Sequence, residues 1–344
     1  MTQPPLRYLS LTGQSAWQDL LRLLKEDAVS DIRGKPTLRH QGGRRYWYDR
    51  YRVGDQVVDR YLGDDTEDLR HRLDLHETLR ALAKDRQVET ARLVRLLRSD
   101  GYLTPDLATG QILTAMARAG VFRLGGTIVG TQAFRHYEGV LGVRIGADQA
   151  AQTNDIDIAS FERLSLAVQD QQDQVDPAMA DVFSGLEFEP IPSVGDRKVW
   201  RWRQTKQQTL VEFLTPSFDD QQGLRDLPAL GVSAQSLHFL NYLIAEPLTL
   251  PLLYRSGALI QVPRPERFAI HKLIVSERRR GFDAVQKAQK DRSQAAFLIR
   301  VLAEEDPHAL TEAHHEALSK GPAWRVAISD ALKRLPQTAK QLQL

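Results

Sequence analysis

The order of helical and extended patterns along the 344-residue chain predicts an α/β or α+β core, a mixed sheet flanked by helices, followed by a helical C-terminal part. Three observations carry this. The runs "KVWRWRQ" (Lys198 to Gln204) and "TLVEFLTP" (Thr209 to Pro216) have strand character and stand among segments of helical spacing. From Pro265 onward the pattern is helical, with breaks at Gly281 and Gly321. A content of 42% hydrophobic and 26% charged residues suits a globular chain that buries a substantial core in two or three modules.

In chain order, the opening is weakly patterned, and the first clear signal is "GGRRYWYDRYRVGDQVVDRYLGD", where large and polar residues alternate on either side of Gly54 and Asp55. A β-hairpin is expected there. Tyr46, Tyr48, Arg50 and Arg52 share one face of its first strand, and Arg45, Trp47 and Tyr51 the other. Interleaved arginine and aromatic side chains can pair with phosphates and stack on bases, which makes Arg45, Trp47, Tyr48, Arg50 and Arg52 candidate nucleic-acid contacts. A half-buried hairpin with solvated arginines has the same pattern. From Thr66 to Ser99, "EDLRHRLDLHETLRALAKD" and "VETARLVRLLRSD" read as connecting helices. "TPDLATGQILTAMARAG" adds a helix with Thr104 as N-cap and Pro105 at its first position, ending at Gly120. "VFRL" (Val121 to Leu124) reads as a strand leading into Gly125-Gly126, and "LHFLNYLI" and "ALIQVP" are further strand candidates. These signals divide the chain into a basic hairpin with connecting helices (1–100), a core (101–264) and a helical region (265–344).

Composition narrows the function. Net charge is only +2, but eight Lys/Arg face three Asp between Arg33 and Arg60, and ten face four acidic residues between Arg264 and Arg300. The absence of cysteine removes disulfides and thiolate metal sites. No apolar run is long enough to cross a bilayer and the start has no leader-like pattern, so a cytoplasmic protein without a membrane partner is expected. No G-x-x-x-x-G-K-[ST] is present, which argues against a P-loop kinase or ATPase. His308, Glu312 and His315 can share a helix face but match no zinc signature, and a polar helix face explains them.

The chemistry concentrates in three short motifs. Gly125 and Gly126, followed by Thr127, allow a sharp turn, and a helix after such a turn would offer unpaired N–H groups to a phosphate. The same pair would serve equally to turn the chain. In "TNDIDIAS", Asp155 and Asp157 alternate with Ile156 and Ile158, so on a strand both carboxylates project to one side, about 7 Å apart. Like charges so close repel and raise one carboxyl's pKa unless a cation lies between them, while a plain polar strand edge has the same pattern. Glu212 stands between Val211 and Phe213 inside an apolar strand, where an uncompensated carboxylate is costly. If the two strands are neighbours, three carboxylates converge on oxygen ligation suited to Mg²⁺ or Mn²⁺.

Together these motifs resemble the signature of the polymerase-beta-type nucleotidyltransferase superfamily: "LGGT" at Leu124 to Thr127, "DIDI" at Asp155 to Ile158 and "VEF" at Val211 to Phe213. The resemblance covers roughly residues 103–302 and departs from the pattern in having Thr127 where serine is common and a long gap around "EGVLGVRIGADQAAQ". "PERFAIHKLIVSERR" and "KAQKDRSQAAFLI" are similar to the helical section of abortive-infection-type nucleotidyltransferase toxins, whose recurring lysine and Lys-Asp pair fall on Lys272, Lys290 and Asp291. The resemblance implies an α+β fold, with the mixed sheet of nucleotidyltransferases. It also implies transfer of a nucleoside monophosphate from a triphosphate such as ATP. Gly125, Gly126 and Thr127 would hold phosphates, with Lys290 and Asp291 beside the nucleotide. Asp155, Asp157 and Glu212 would bind Mg²⁺ or Mn²⁺, and Lys272 would offset phosphate charge. The expected acceptor is RNA such as tRNA, or a protein hydroxyl, and a neutralising partner protein is implied by the toxin likeness. A non-catalytic nucleotide- or RNA-binding module on the same fold is the alternative.

Overall fold

The computed structural model describes residues 5–53, 56–146, 155–162, 174–193, 196–218, 222–279, 281 and 283–342. The weakly patterned opening is in fact a long helix, α1 (Leu11–Ser30), with the Ser10 hydroxyl capping it by accepting from the Gly13 N–H at 2.9 Å. The hairpin expected at 44–64 is the greater part of an antiparallel three-stranded sheet, β1 (Lys35–Gln41), β2 (Arg44–Val53) and β3 (Gln56–Asp64). The added strand, β1, pairs with Arg44 to Arg50 of the aromatic one. Helices α2 (Glu67–Asp74), α3 (His76–Ala81) and α4 (Ala83–Ser99) follow as expected. Val29, Ile32, Leu69 and Leu73 form a small core under this sheet, while Trp17, Leu20 and Leu24 of α1 belong to the main core, so α1 joins the two.

Helix α5 (Leu107–Ala119) is capped not by Thr104 but by Asp106, whose carboxylate accepts from both the N–H and the hydroxyl of Thr109. Val121 to Leu124, expected as a strand, is a tight turn. The Gly126 N–H donates to the Val121 carbonyl (2.9 Å) and the Leu124 N–H to the Gly120 carbonyl (2.9 Å), so the segment closes on itself. The strand is β4 (Thr127–Val129), followed at once by α6 (Gly130–Leu141). Next come β5 (Asp155–Ala159), α7 (Met179–Gly185), β6 (Phe188–Ser193), β7 (Asp196–Gln204), β8 (Leu210–Pro216), β9 (Leu224–Leu227) and β10 (Val232–Leu237). "LHFLNYLI" is no strand. Phe239 adopts a left-handed backbone (φ 69°) that ends extension, and α8 (Leu240–Leu243) follows. The chain finishes with the ribbon β11 (Leu248–Leu252) and β12 (Ala258–Val262), then α9 (Pro265–Arg278), α10 (Ala284–Glu305), α11 (Pro307–Ser319), α12 (Pro322–Lys333) and α13 (Pro336–Gln341).

The fold is α+β. Its main sheet runs β4-β5-β8-β10-β9, with β7 also on β8 and β6 outside β7. It is mixed: β5, β8 and β10 are parallel, while β4, β7 and β9 pair antiparallel with their neighbours. Ile156, Ile158, Val211 and Phe213 turn to one side of it and are buried, leaving Asp157 and Glu212 on the other. The helical C-terminal part packs without a break onto this sheet through α6. Phe134 stacks on Phe268 of α9 (ring centroids 6.2 Å), Tyr137 meets Phe268 edge-on (5.2 Å), and the Tyr137 hydroxyl donates to the Pro263 carbonyl (2.9 Å). The end of "EGVLGVRIGADQAAQ", residues 147–152, lies outside the described residues. Among the described residues no helix is long and apolar enough to cross a membrane.

Candidate active site

The register of three strands builds the site. Asp157 pairs in parallel with Glu212 across β5 and β8, and antiparallel with Val129, the last residue of β4. Partners in register share a face and stand about 4.8 Å apart, so the Asp157 and Glu212 carboxylates are neighbours, with exposed Asp155 two residues along on the same side. Burial, then Glu212, then Asp155 push the Asp157 carboxyl up to about 7, while Lys272 and Arg279 pull it down. Burial also raises Glu212, with Arg201 opposing and Asp155 adding to the rise. Carboxylates that disfavour one another's charge form a locus that a divalent cation would stabilise. Among the described residues no three Asp, Glu, His or Cys side chains form a ready metal cage. The donors are nonetheless hard oxygens, which fit Mg²⁺ or Mn²⁺ when water and substrate oxygens complete the shell.

The glycine turn that faces these carboxylates is not the one singled out from sequence. Gly125 and Gly126 precede β4, and Thr127 pairs with Ala159, at the opposite end of the strand from the Val129–Asp157 pair. A Cβ on Gly126 would stand 2.6 Å from Val121 Cγ1, so the bend is filled, and Thr127 is buried at 1% exposure. Gly126 and Thr127 are thus part of a packed turn that leads into β4. The open junction is β4 to α6. Gly130 starts the helix with φ 66°, and a Cβ there would lie 2.5 Å from Asp157 Oδ2. No side chain caps α6, so its first N–H groups, with the Thr131 hydroxyl, are available beside Asp157. The signal "IVGTQ", an apolar pair, glycine and hydroxyl ahead of a helical pattern, is present in the sequence but is a weaker turn signal than the adjacent double glycine.

The helical region contributes cations. Lys272 Nζ, on α9, bonds Asp291 Oδ1 at 2.5 Å, and Arg279 Nε bonds Asp291 Oδ2 at 2.7 Å. Burial would raise Asp291, but Lys272 and Arg279 outweigh it and hold the carboxyl below its ordinary value. Asp291 is 1% exposed and each of its carboxylate oxygens is paired with one of these two cations. Both cations act on Asp157. Half-buried Lys290 is lowered by burial, then by Lys272, with Asp291 and Asp155 opposing, so it faces the same charges. His271 is pushed down to about 3 by burial and by Lys272 and stays neutral. Replacing Asp291 with Ala leaves Lys272 buried without its counter-ion, and a loss of about 3–5 kcal/mol in urea unfolding is expected. A loss under about 1 kcal/mol would show that the pair does not hold α9 to α10.

On the other flank, Arg201 of β7 stands in register with Glu212, its Nη1 4.0 Å from Glu212 Oε1. The N-terminal sheet is organised differently. Arg39 and Arg50 share Asp59, Arg45 Nε pairs with Asp65 at 2.9 Å, Trp47 Nε1 donates to Asp65 at 2.9 Å, and Tyr48 is buried. Arg52 lies opposite Val57, and its side chain is outside the described set. The aromatic and basic residues of this strand are thus largely engaged in holding the sheet together.

A nucleotidyltransferase family model matches residues 108–319, more than half the chain, and the chain belongs to that family. The match runs from α5 through α11 and so contains every carboxylate and cation of the site just described. A second family model, for a domain of unknown function, matches residues 14–71, which span most of α1, the three-stranded sheet and the start of α2. No curated protein and no solved structure matches the chain.

Proposed function

We propose that the protein uses a divalent cation to transfer a nucleoside monophosphate from a nucleoside triphosphate to an acceptor hydroxyl, with RNA such as tRNA as acceptor, releasing pyrophosphate. The observation that carries this reading is the pairing of Asp157 with Glu212 against a helix start whose glycine lies so close that a Cβ there would collide with Asp157. Asp157, Glu212 and Asp155 would hold Mg²⁺ or Mn²⁺, which when bound supplies positive charge to the attacking and leaving oxygens.

The chain's own residues account for the remaining roles. The first N–H groups of α6 and Thr131 receive the triphosphate, in place of Gly125, Gly126 and Thr127. Lys272, fixed by Asp291, and Lys290 offset the charge that collects on pyrophosphate as it leaves. The acceptor oxygen forms a bond to the α-phosphorus while the bond from that phosphorus to the pyrophosphate oxygen breaks. Glu212, whose carboxyl is raised by burial, takes the acceptor proton.

Incubation with each of four labelled triphosphates, total RNA and total protein, with Mg²⁺ or Mn²⁺ and with chelator, tests the reading. Label on RNA that depends on the cation is expected. Label on protein alone would reject RNA as acceptor, and triphosphate binding in calorimetry without any product would make the chain a non-catalytic module. The likeness to abortive-infection-type toxins adds a neutralising partner protein to the proposal. Growth arrest on expressing the wild type, absent with Asp157→Asn, is the corresponding test.

A further inference from the structure

Strand β7 continues the face of the sheet on which the carboxylates stand. Arg201 pairs with Glu212, and Arg203 with Leu210, so both arginines project to the side that carries Glu212. Arg203 is exposed. Arg201 lies with its guanidinium 4.5 Å over the Trp200 ring, a contact that fixes its plane without using its N–H donors. Among the described residues its carboxylate neighbour is Glu212 at 4.0 Å, too long for a hydrogen bond, and its buried Nε has no hydrogen-bond partner there. This guanidinium is held in place but not saturated. The contrast with the N-terminal sheet is direct, because Asp59 and Asp65 there bind Arg39, Arg50 and Arg45.

The position matters as well as the charge. The start of α6 adjoins β4 and β5, on one side of the carboxylates, and β7 lies on the other, beyond β8. An in-line displacement at phosphorus needs the leaving and attacking oxygens on opposite sides. With pyrophosphate toward α6 and Lys272, the acceptor arrives from β7. Glu189, exposed on β6 directly opposite Arg203, is the one carboxylate in register with this arginine pair at its outer end.

We propose that Arg201 and Arg203 form the acceptor side of the site and grip the phosphate backbone of an RNA strand whose hydroxyl is presented to Glu212. This rests on the transfer reaction proposed above but is tested without it. The probe is a labelled single-stranded RNA oligonucleotide with a free 3′ hydroxyl, bound to the full chain and followed by fluorescence anisotropy at several salt concentrations. Arg201→Gln/Arg203→Gln is expected to weaken binding at least about tenfold and to lower the slope of log affinity against log salt by about 1.4, about 0.7 for each phosphate contact on a single strand. Glu189→Gln should tighten binding, an effect of opposite sign that loss of folding cannot imitate. Arg203→Gln alone, at an exposed position, gives the same test with a slope change of about 0.7 if the double variant is unstable.

Unchanged RNA binding in both arginine variants overturns the inference, as does absence of RNA binding by the wild type. Transfer to RNA by the wild type together with unchanged binding in the variants would overturn the inference and leave the transfer reading standing. Arginine-dependent binding without any transfer would do the reverse.

Discussion

If Asp157 holds a cation as proposed, Asp157→Asn is expected to reduce nucleotide transfer by about 10³-fold or more, since it would remove one ligand of a charge worth several kcal/mol to the transition state. The same substitution should make the cation-free protein more stable at alkaline pH. Folding raises the Asp157 carboxyl to about 7, mainly by burial and then by Glu212 and Asp155, from an unfolded value of about 3.9. Between those values the folded state binds more protons than the unfolded state, so this group makes stability fall as pH rises through that window. Asn carries no such charge. The melting temperature of the variant should therefore exceed that of the wild type by about 2–5 °C at pH 8 and match it near pH 4. Thermal scans at both pH values, with chelator, measure it; equal curves at pH 8 would mean that Asp157 is not charge-strained. For the same reason, wild-type affinity for Mn²⁺ should rise with pH through about 7, because proton and cation compete for one carboxylate.

A second large effect separates the two glycine turns. In Gly130→Ala the new Cβ meets Asp157 Oδ2 at 2.5 Å, and a φ of 66° adds strain of about 1 kcal/mol. The carboxylate must move, and displacement by about 1 Å at a reacting centre costs about 10²-fold in rate. Gly126→Ala instead meets Val121, with Cγ1 at 2.6 Å and the carbonyl oxygen at 2.8 Å, in a packed turn away from the carboxylates. It should cost about 1–3 kcal/mol of stability and leave transfer per folded molecule within about threefold. Measuring kcat and the urea midpoint for both variants decides between them. Transfer lost in Gly126→Ala and kept in Gly130→Ala would return the phosphate site to the double glycine.

Much of the candidate site was legible because it depends on strand periodicity. The alternation in "DIDI" and "VEF" fixes which side chains share a face, and only the neighbouring of β5 and β8 had to be supplied by the fold. The glycine turn was misread for a local reason. "GG" is the stronger turn signal in isolation, yet Gly120 already ends α5, and the turn at Val121 to Gly126 belongs to that helix ending. Helix α1 was missed although Ala16, Trp17, Leu20 and Leu24 keep helical spacing, because Gly13 and the charged residues between them dilute the pattern. The pairing of Asp291 with Lys272 could not be read at all, since it depends on how α9 crosses α10.

The contacts of Phe134 and Tyr137 with Phe268 and Pro263 have a consequence for the molecule's history and handling. They bolt the helix that opens at Gly130 to the helix that carries Lys272, so the two halves of the proposed triphosphate cradle shift as one piece. Chimaeras exchanging the last eighty or so residues between relatives should work only when α6 travels with them, and mismatched rings at that seam would misalign lysine and glycine together.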